Sequence, residues 1–335
     1  MSGQIAIIGL GQIGASIGMA LKQANSSLHR VGFDKDAAVA RAAESLNAVD
    51  EVARRLSDAI HGADIIVLAL PLAGVQDVAR QIASWVKDGA VVMDTAPIKS
   101  STAAGMRQLL PEGRYYVGIV PAVTAGALAA PETGLKAARP DLFMRTVMMI
   151  DLPRGMPEEV EQLAVNFTRL LGAKPLLADL GESDGIMAST HILPQLAAAA
   201  VLDATIDQPG WGDGRKLAGR PFVGVTGGLA YYDDPASLQA AALANPQAVV
   251  HALTVLLSFL QDLRDDIENG DEAAIHRRLQ SAFEARERWL TERGAADWLT
   301  EGGEPAELPK MGEQVVQMLF GNRIIDRTKR KPGKK

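Results

Sequence analysis

Between Ile5 and Gly18 the chain runs from an apolar, β-branched stretch, Ile5-Ala6-Ile7-Ile8, through Gly9-Leu10-Gly11-Gln12-Ile13-Gly14, into an apolar-periodic segment that opens at Ala15. The order predicts a buried strand, a glycine turn and a helix start. Gly9 permits the tight turn, Gly11 lets a ligand approach the backbone, and Gly14 lets helix and strand pack closely. The first helical N–H groups, around Gln12 and Ile13, face outward together with the positive end of the helix dipole, which is the geometry that holds a pyrophosphate. The next strand, Arg30-Val31-Gly32-Phe33, ends in Asp34, placed to accept both hydroxyls of a ribose and to repel a 2′-phosphate. These features predict a dinucleotide site that favours NAD, with Lys35 leaving room for NADP.

The remaining composition sets bounds. A chain of 335 residues, 47% hydrophobic, can bury a large core and divide into two domains. Cysteine is absent, so neither disulfides nor thiolate chemistry is available, which suits a reducing cytoplasm. No basic region precedes an apolar stretch at the N-terminus, and the longest apolar run, Ala63 to Val75, carries Asp64 and Pro71. A soluble protein with neither signal peptide nor membrane span is expected. The net charge of −6 gives no reason to expect nucleic acid, and the basic end, residues 326–335, reads as a solvated, disordered tail.

Strands are expected at Gln4–Gly9, Val31–Asp34, Ile65–Leu70, Val91–Asp94, Tyr115–Ile119, Thr146–Asp151 and Lys174–Ala178, alternating with helices. Such alternation predicts an α/β Rossmann domain over residues 1–178, doubly wound around a mostly parallel sheet. Beyond it, Ala- and Leu-rich helical spacing predicts an all-α domain over residues 179–325. Its expected parts are a long helix through Ile186–Thr205 capped by Ser183 or Asp184, a Gly-rich linker Gly210–Gly228, and long helices Pro246–Asn269 and Glu272–Arg293. The stretch Val249 to Leu263 is apolar over more than one narrow stripe, which predicts a homodimer through the helical domain.

Several segments together resemble the prephenate/arogenate dehydrogenase family, the NAD(P)-dependent enzymes of tyrosine synthesis. They are the glycine loop Gly9–Ile17, the strand Ala63–Pro71, the loop Val91–Lys99, the helix segment Ser189-Thr190-His191-Ile192-Leu193-Pro194-Gln195, and the C-terminal helices around Asn245, Asn269-Gly270-Asp271 and Phe283–Arg286. The resemblance implies a cytoplasmic homodimer that oxidises a ring alcohol by hydride transfer while the ring carboxylate leaves as carbon dioxide. It implies a cyclic carboxylic acid as substrate. Leu70 and Pro71 would wall the adenosine and ribose side, and Thr95 would lie on the nicotinamide side.

The chain departs from that family at the chemistry. The family's His-Pro after the fifth strand is here Val120-Pro121, its nicotinamide-loop Ser is Pro97, and its second helix His is Gln195. The Arg of its Gly-Phe-Arg-Asp-x-x-Arg segment is not matched within Gly219–Gly228, where Arg220 is the nearest substitute. The candidate catalytic residues are therefore His191, Lys99, Gln195, Thr190 and Arg220. Pro194 denies the Thr190 carbonyl its helical partner, so a polar pocket can open at that turn. The replacements also leave open a dehydrogenase or reductase with another small substrate, or a dinucleotide-binding protein without catalysis. Residues Val120–Gly126 bear a short likeness to the substrate loop of β-hydroxyacid dehydrogenases and imine reductases. No metal-ligand spacing occurs among the histidines, and no metal site is expected.

Overall fold

A computed structural model describes residues 3–24, 27–231, 235–296 and 298. The expected basic tail, residues 326–335, and residues 299–325 of the expected helical domain lie outside the described residues. Eight strands form one sheet: β1 (Gln4–Ile8), β2 (His29–Phe33), β3 (Glu51–Val52), β4 (Ile65–Leu68), β5 (Val91–Asp94), β6 (Tyr115–Pro121), β7 (Val147–Asp151) and β8 (Lys174–Ala178). The spatial order is β3-β2-β1-β4-β5-β6-β7-β8. All pairs are parallel except β6 with β7. The order reverses between β1 and β4, which is where an open α/β sheet forms its ligand crevice.

Helices α1 (Gln12–Ala24), α2 (Ala37–Ser45), α3 (Leu56–Ile60), α4 (Leu72–Ile82), α5 (Ser100–Leu109) and α6 (Glu158–Leu170) flank the sheet. Strand periodicity divides the core in two. Ile5, Ile7, Ile65, Val67, Val91 and Met93 join α1, α2 and α6 on one face. Ala6, Ile8, Ile66, Leu68 and Val92 join α3, α4 and α5 on the other. Each of the buried Ile, Leu, Val and Met side chains among them contributes roughly 1.5–3 kcal/mol of hydrophobic stabilisation. β3 and α3 were not expected from the sequence; both are too short to carry a periodic signal.

Every described element after Ala178 is helical: α7 (Leu180–Met187), a π-helical turn (Ala188–Ile192), α8 (Leu193–Ile206), α9 (Trp211–Leu217), α10 (Arg220–Thr226), a 3-10 helix (Gly227–Tyr231), α11 (Pro235–Ala244), α12 (Pro246–Glu268) and α13 (Glu272–Ala295). This region joins the second sheet face, where Ala188, Ile192, Ala241 and Val249 enter the core beside α4 and α5.

Three expectations need correction here. The first long helix is capped by Asp179, whose side chain accepts from Gly181 and Glu182 N–H, rather than by Ser183 or Asp184. Both of the latter are fully buried one turn further along and serve a polar network described below. That helix is also interrupted, because Pro194 has no N–H for the Thr190 carbonyl and the preceding turn widens to π geometry. Finally, the stretch read as a glycine-rich linker holds α9 and α10, packed at 5.7 Å through the Trp211 and Phe222 rings. The run Leu180–Ile206 is long and apolar enough, by length and composition, to cross a membrane. It carries the buried Ser183 and Asp184, and its N-terminal half packs into the core beside the sheet.

Candidate active site

The glycine turn is built as its sequence requires. Gly9 has φ +91, a left-handed conformation in which any Cβ would also strike the Ala69 carbonyl oxygen at 2.3 Å. A Cβ on Gly14 would fall 1.9 Å from the Gly9 carbonyl oxygen. Gly11, by contrast, faces open space, with no atom within 4 Å of where its Cβ would be. That gap is the cradle a phosphate would fill. Gln12 and Ile13 open α1, whose first turn contains no acidic residue to compete for its N–H groups.

Asp34 closes the same turn from the neighbouring strand. Its Oδ2 accepts from Leu10 N–H at 2.8 Å and its Oδ1 from Asp36 N–H at 2.9 Å. The carboxylate is thus fixed against the glycine loop and remains half-buried at its edge. β2 is itself anchored from beneath, because Arg30, fully buried, donates to Asp50 and to the carbonyls of Gly18, Asn47 and Ala48. Across the crevice, Leu70 and Pro71 are half-buried where β4 passes into α4, and Thr95 N–H donates to Leu68 O at 3.1 Å. The segment between β6 and β7 reaches back to α1, where Arg139 N–H donates to Ser16 Oγ at 3.0 Å. The predicted nucleotide-contacting residues therefore converge around the strand-order reversal.

Lys99 requires a correction. It is not presented to a cleft: its side chain is fully buried, with Nζ donating to Asp94 Oδ1 and to Asp94 O, both at 2.9 Å. Its stem crosses Gly118 on β6, where a Cβ would lie 2.7 Å from Lys99 Cδ. Asp94 Oδ1 also accepts from Ala96 N–H at 2.8 Å, and Asp94 Oδ2 accepts from Tyr116 Oη at 2.5 Å. Burial together with the nearby Asp94 carboxylate raises the Tyr116 hydroxyl well above its ordinary pKa. Lys99 thus ties the loop after β5 to the sheet.

The helical side supplies the rest. His191 lies in the π turn, and burial lowers the pKa of its imidazole, so the neutral ring predominates at pH 7. Gln195, one turn on, is 1% exposed, and its Nε2 donates to His191 O at 2.8 Å, taking up a carbonyl beside the proline break. Its buried Oε1 has no partner among the described residues. One N–H of the Gln195 amide is therefore already engaged with the backbone. Thr190 is exposed and donates to Ile186 O at 2.7 Å. Arg220 is exposed in the first turn of α10.

Residues not singled out from sequence complete the junction. Asp184 Oδ1 accepts from Lys99 N–H at 2.6 Å, both of its oxygens approach Ser100 N–H, and Asn245 Nδ2 donates to its Oδ2 at 3.3 Å. Ser183 Oγ donates to Asp151 Oδ2 at 3.0 Å. The signal available was an Asp and a Ser inside an apolar helix, where polar side chains need partners on a neighbouring element.

The model for the prephenate dehydrogenase nucleotide-binding domain matches residues 17–176, from within α1 to β8. Residues 17–176 are thus similar to the nucleotide-binding domain of prephenate dehydrogenases. Among curated proteins, the chain is 28% identical over 195 residues to the cyclohexadienyl dehydrogenase of Zymomonas mobilis, spanning 58% of this chain and 64% of that protein. It is also 28% identical over 201 residues to the prephenate dehydrogenase of Lactococcus lactis, spanning 59% and 53%. The chain thus aligns with between about half and just under two thirds of these relatives' length. Among solved structures, the prephenate dehydrogenase of Aquifex aeolicus in complex with hydroxyphenyl propionate and NAD+ shares the fold at TM-score 0.75 and 18% identity, covering 86% of this chain and 98% of that one. The arogenate dehydrogenase of Synechocystis does so at TM-score 0.66 and 22% identity, covering 85% and 99%. The likeness to these solved structures extends over the eight-stranded sheet and the helical C-terminal region as fold.

Proposed function

We propose that this chain is an NAD-dependent dehydrogenase that oxidises a ring alcohol of a cyclic carboxylic acid, prephenate or arogenate, by hydride transfer with loss of carbon dioxide. The observation that carries the reading is the cradle itself: Asp34 fixed on the glycine loop beside the open space over Gly11. Asp34 disfavours a 2′-phosphate and so favours NAD over NADP. NAD, when bound, supplies the hydride acceptor. The protein's own part is to orient it through Gly11–Gly14, Pro71 and Thr95, and to offer a neutral imidazole at His191 for hydrogen bonding to substrate. Arg220 is the exposed cation nearest in sequence to the family's carboxylate-binding segment. The related Aquifex protein binds NAD+ and a hydroxyphenyl acid, which supports the same ligand classes here.

A second reading, a dehydrogenase or reductase with another small substrate, is favoured by one specific observation. Val120 and Pro97 have no titratable or donor group, and the Gln195 amide is buried on His191 O. NADH production from purified protein with prephenate and with arogenate, beside an NAD titration, separates the two. Turnover of either acid supports the first reading. Tight NAD binding without turnover of either transfers support to the second.

The exposed apolar residues of α12 and α13 support a homodimer through the helical region. A homodimeric, cytoplasmic enzyme acting on a small molecule, with neither nucleic acid nor membrane as partner, fits the net charge of −6 and the absence of cysteine.

A further inference from the structure

Three carboxyl groups and one ammonium are buried together behind the loop that follows β5. Asp94, Gly118 and Asp151 lie in register across β5, β6 and β7. Gly118 has no side chain, and the Lys99 stem occupies the resulting gap between the two aspartates. From the helical region, α7 brings Ser183 and Asp184 to the same place. Asp94, Lys99, Asp151, Ser183 and Asp184 are all essentially inaccessible to solvent.

The three carboxyls are served unequally. Asp94 has donors on both oxygens, from Lys99 Nζ, Ala96 N–H and Tyr116 Oη. Asp184 has Lys99 N–H, Ser100 N–H and Asn245 Nδ2. Among the described residues Asp151 has one donor, Ser183 Oγ, and its buried Oδ1 has no partner. An ionised carboxylate with one oxygen unserved in a dry interior is among the costliest arrangements a protein can hold, whereas a neutral carboxylic acid is far cheaper there. A single Lys99 cannot neutralise three anions, so a proton retained in this cluster is best placed on Asp151.

We propose that Asp151 is a positioning residue for the nucleotide site: it is held as the neutral acid, leaving Lys99 to Asp94 and the loop 94–99 in place. When Asp151 loses its proton, the new anion competes with Asp94 for the Lys99 ammonium across Gly118, and the loop that carries Thr95 is released. The groups facing Asp151 are Lys99, which favours its anion, and Asp94 and Asp184, which oppose it. Burial, the largest influence, pushes its pKa up to about 7, so the two states exchange close to neutrality. The inference rests on the cofactor reading above only for its functional consequence.

The experiment uses the full chain with aspartate labelled at the side-chain carboxyl carbon, and follows its NMR signals from pH 4 to 9. The Asp151 resonance, assigned by its loss in Asp151→Asn, is expected to titrate near neutrality. Titration at or below about pH 5, within the ordinary range of Asp, overturns the proposal. NADH affinity, measured by fluorescence over the same range, is expected to fall with rising pH in the wild type, by about tenfold if binding shifts the Asp151 pKa by about one unit. It should be flat in Asp151→Asn, which mimics the neutral acid. Ser183→Ala, which removes the donor that Asp151 has among the described residues, should move the inflection to higher pH; an unmoved inflection, or one retained in Asp151→Asn, overturns the role of Asp151. If NADH binds at no pH, the cofactor reading fails while the carboxyl titration still decides the state of Asp151.

Discussion

The carboxylate of Asp184 accepts the backbone N–H of Lys99 at 2.6 Å across 85 residues of chain. Lys99 is the N-cap residue of α5 and provides no side-chain cap of its own, so a residue of α7 caps α5 in its place. The same carboxylate takes Asn245 Nδ2, while Asn245 Oδ1 caps α12 through Ala248 N–H. One side chain thereby fastens helices of the nucleotide-binding and helical regions. Replacing it by Ala strands buried donors, which costs about 2–4 kcal/mol of stability by the combined loss of a cap and of buried hydrogen bonds. Asp184→Asn keeps one acceptor oxygen and should lose less. Urea unfolding of the two variants checks the order, and an Ala variant as stable as wild type would contradict the fastening role.

Asp151 carries a pH signature in stability as well as in binding. Its pKa is near 3.8 in an unfolded chain and about 7 in the fold. Between those values the unfolded chain has released a proton that the folded protein retains. Stability therefore falls as pH rises from about 4 to about 7, by at most about 4 kcal/mol, and this contribution is level above that range. Asp151→Asn has no proton to lose, so its unfolding free energy should lack this slope and exceed that of the wild type most at pH 8. Urea midpoints at pH 5 and pH 8 for both proteins give the comparison. Parallel pH dependence in the two would count against a neutral Asp151.

The nucleotide half was legible because its constraints are local. Gly9, Gly14 and Asp34 act within a few residues or on an adjacent strand, and the β-branched runs of β1, β4 and β5 have one stable solution as buried parallel strands. The junction was not legible, because its logic is tertiary. Asp184 reads as a helix cap until α5 is seen to need its oxygen, and Lys99 reads as a candidate catalytic residue until Gly118 is seen to make room for its stem. Glycine content also misled in residues 210–228: Gly210, at φ +96, precedes α9, and α10 begins with Arg220-Pro221 in its first turn. A single proline was more informative there than the glycines.

Gly11 and Gly14 separate binding from folding. A Cβ at Gly14 collides with backbone at 1.9 Å, so Gly14→Ala should destabilise the protein by several kcal/mol and abolish cofactor binding with it. A Cβ at Gly11 meets nothing, so Gly11→Ala should unfold within about 1 kcal/mol of wild type yet bind NADH at least tenfold more weakly, because the methyl occupies the phosphate cradle. Thermal melts paired with fluorescence titration distinguish them. Unchanged NADH affinity in Gly11→Ala would remove the phosphate from this loop.

Asp34 has two tasks that one substitution divides. Its Oδ2 holds Leu10 N–H, and the carboxylate charge repels a 2′-phosphate. Asp34→Asn retains an acceptor for Leu10 and removes the charge, so NADP binding should rise relative to NAD while stability changes little. Asp34→Ser loses charge and reach together and should weaken NAD as well as narrow the gap to NADP. Kd values for both nucleotides test this, and an unchanged preference in both variants would place discrimination elsewhere.

The faces of α12 and α13 define the last prediction. At 100° per residue, Val250, Leu257, Leu260 and Ile267 form one stripe on α12, and Leu279, Phe283 and Leu290 form another on α13. All seven are exposed, Leu257 at 56% and Phe283 at 73%, whereas α12 buries only Val249 and Ala252 and α13 buries no residue. A two-helix projection so weakly buried within its own chain gains most of its stability by pairing with a second copy. Leu257→Glu places a charge in the centre of the α12 stripe without touching the sheet core, so sedimentation should shift from dimer to monomer. The variant's melting temperature should lose the protein-concentration dependence expected of the wild type. A wild type that sediments as a monomer at all accessible concentrations would leave these stripes without the proposed partner.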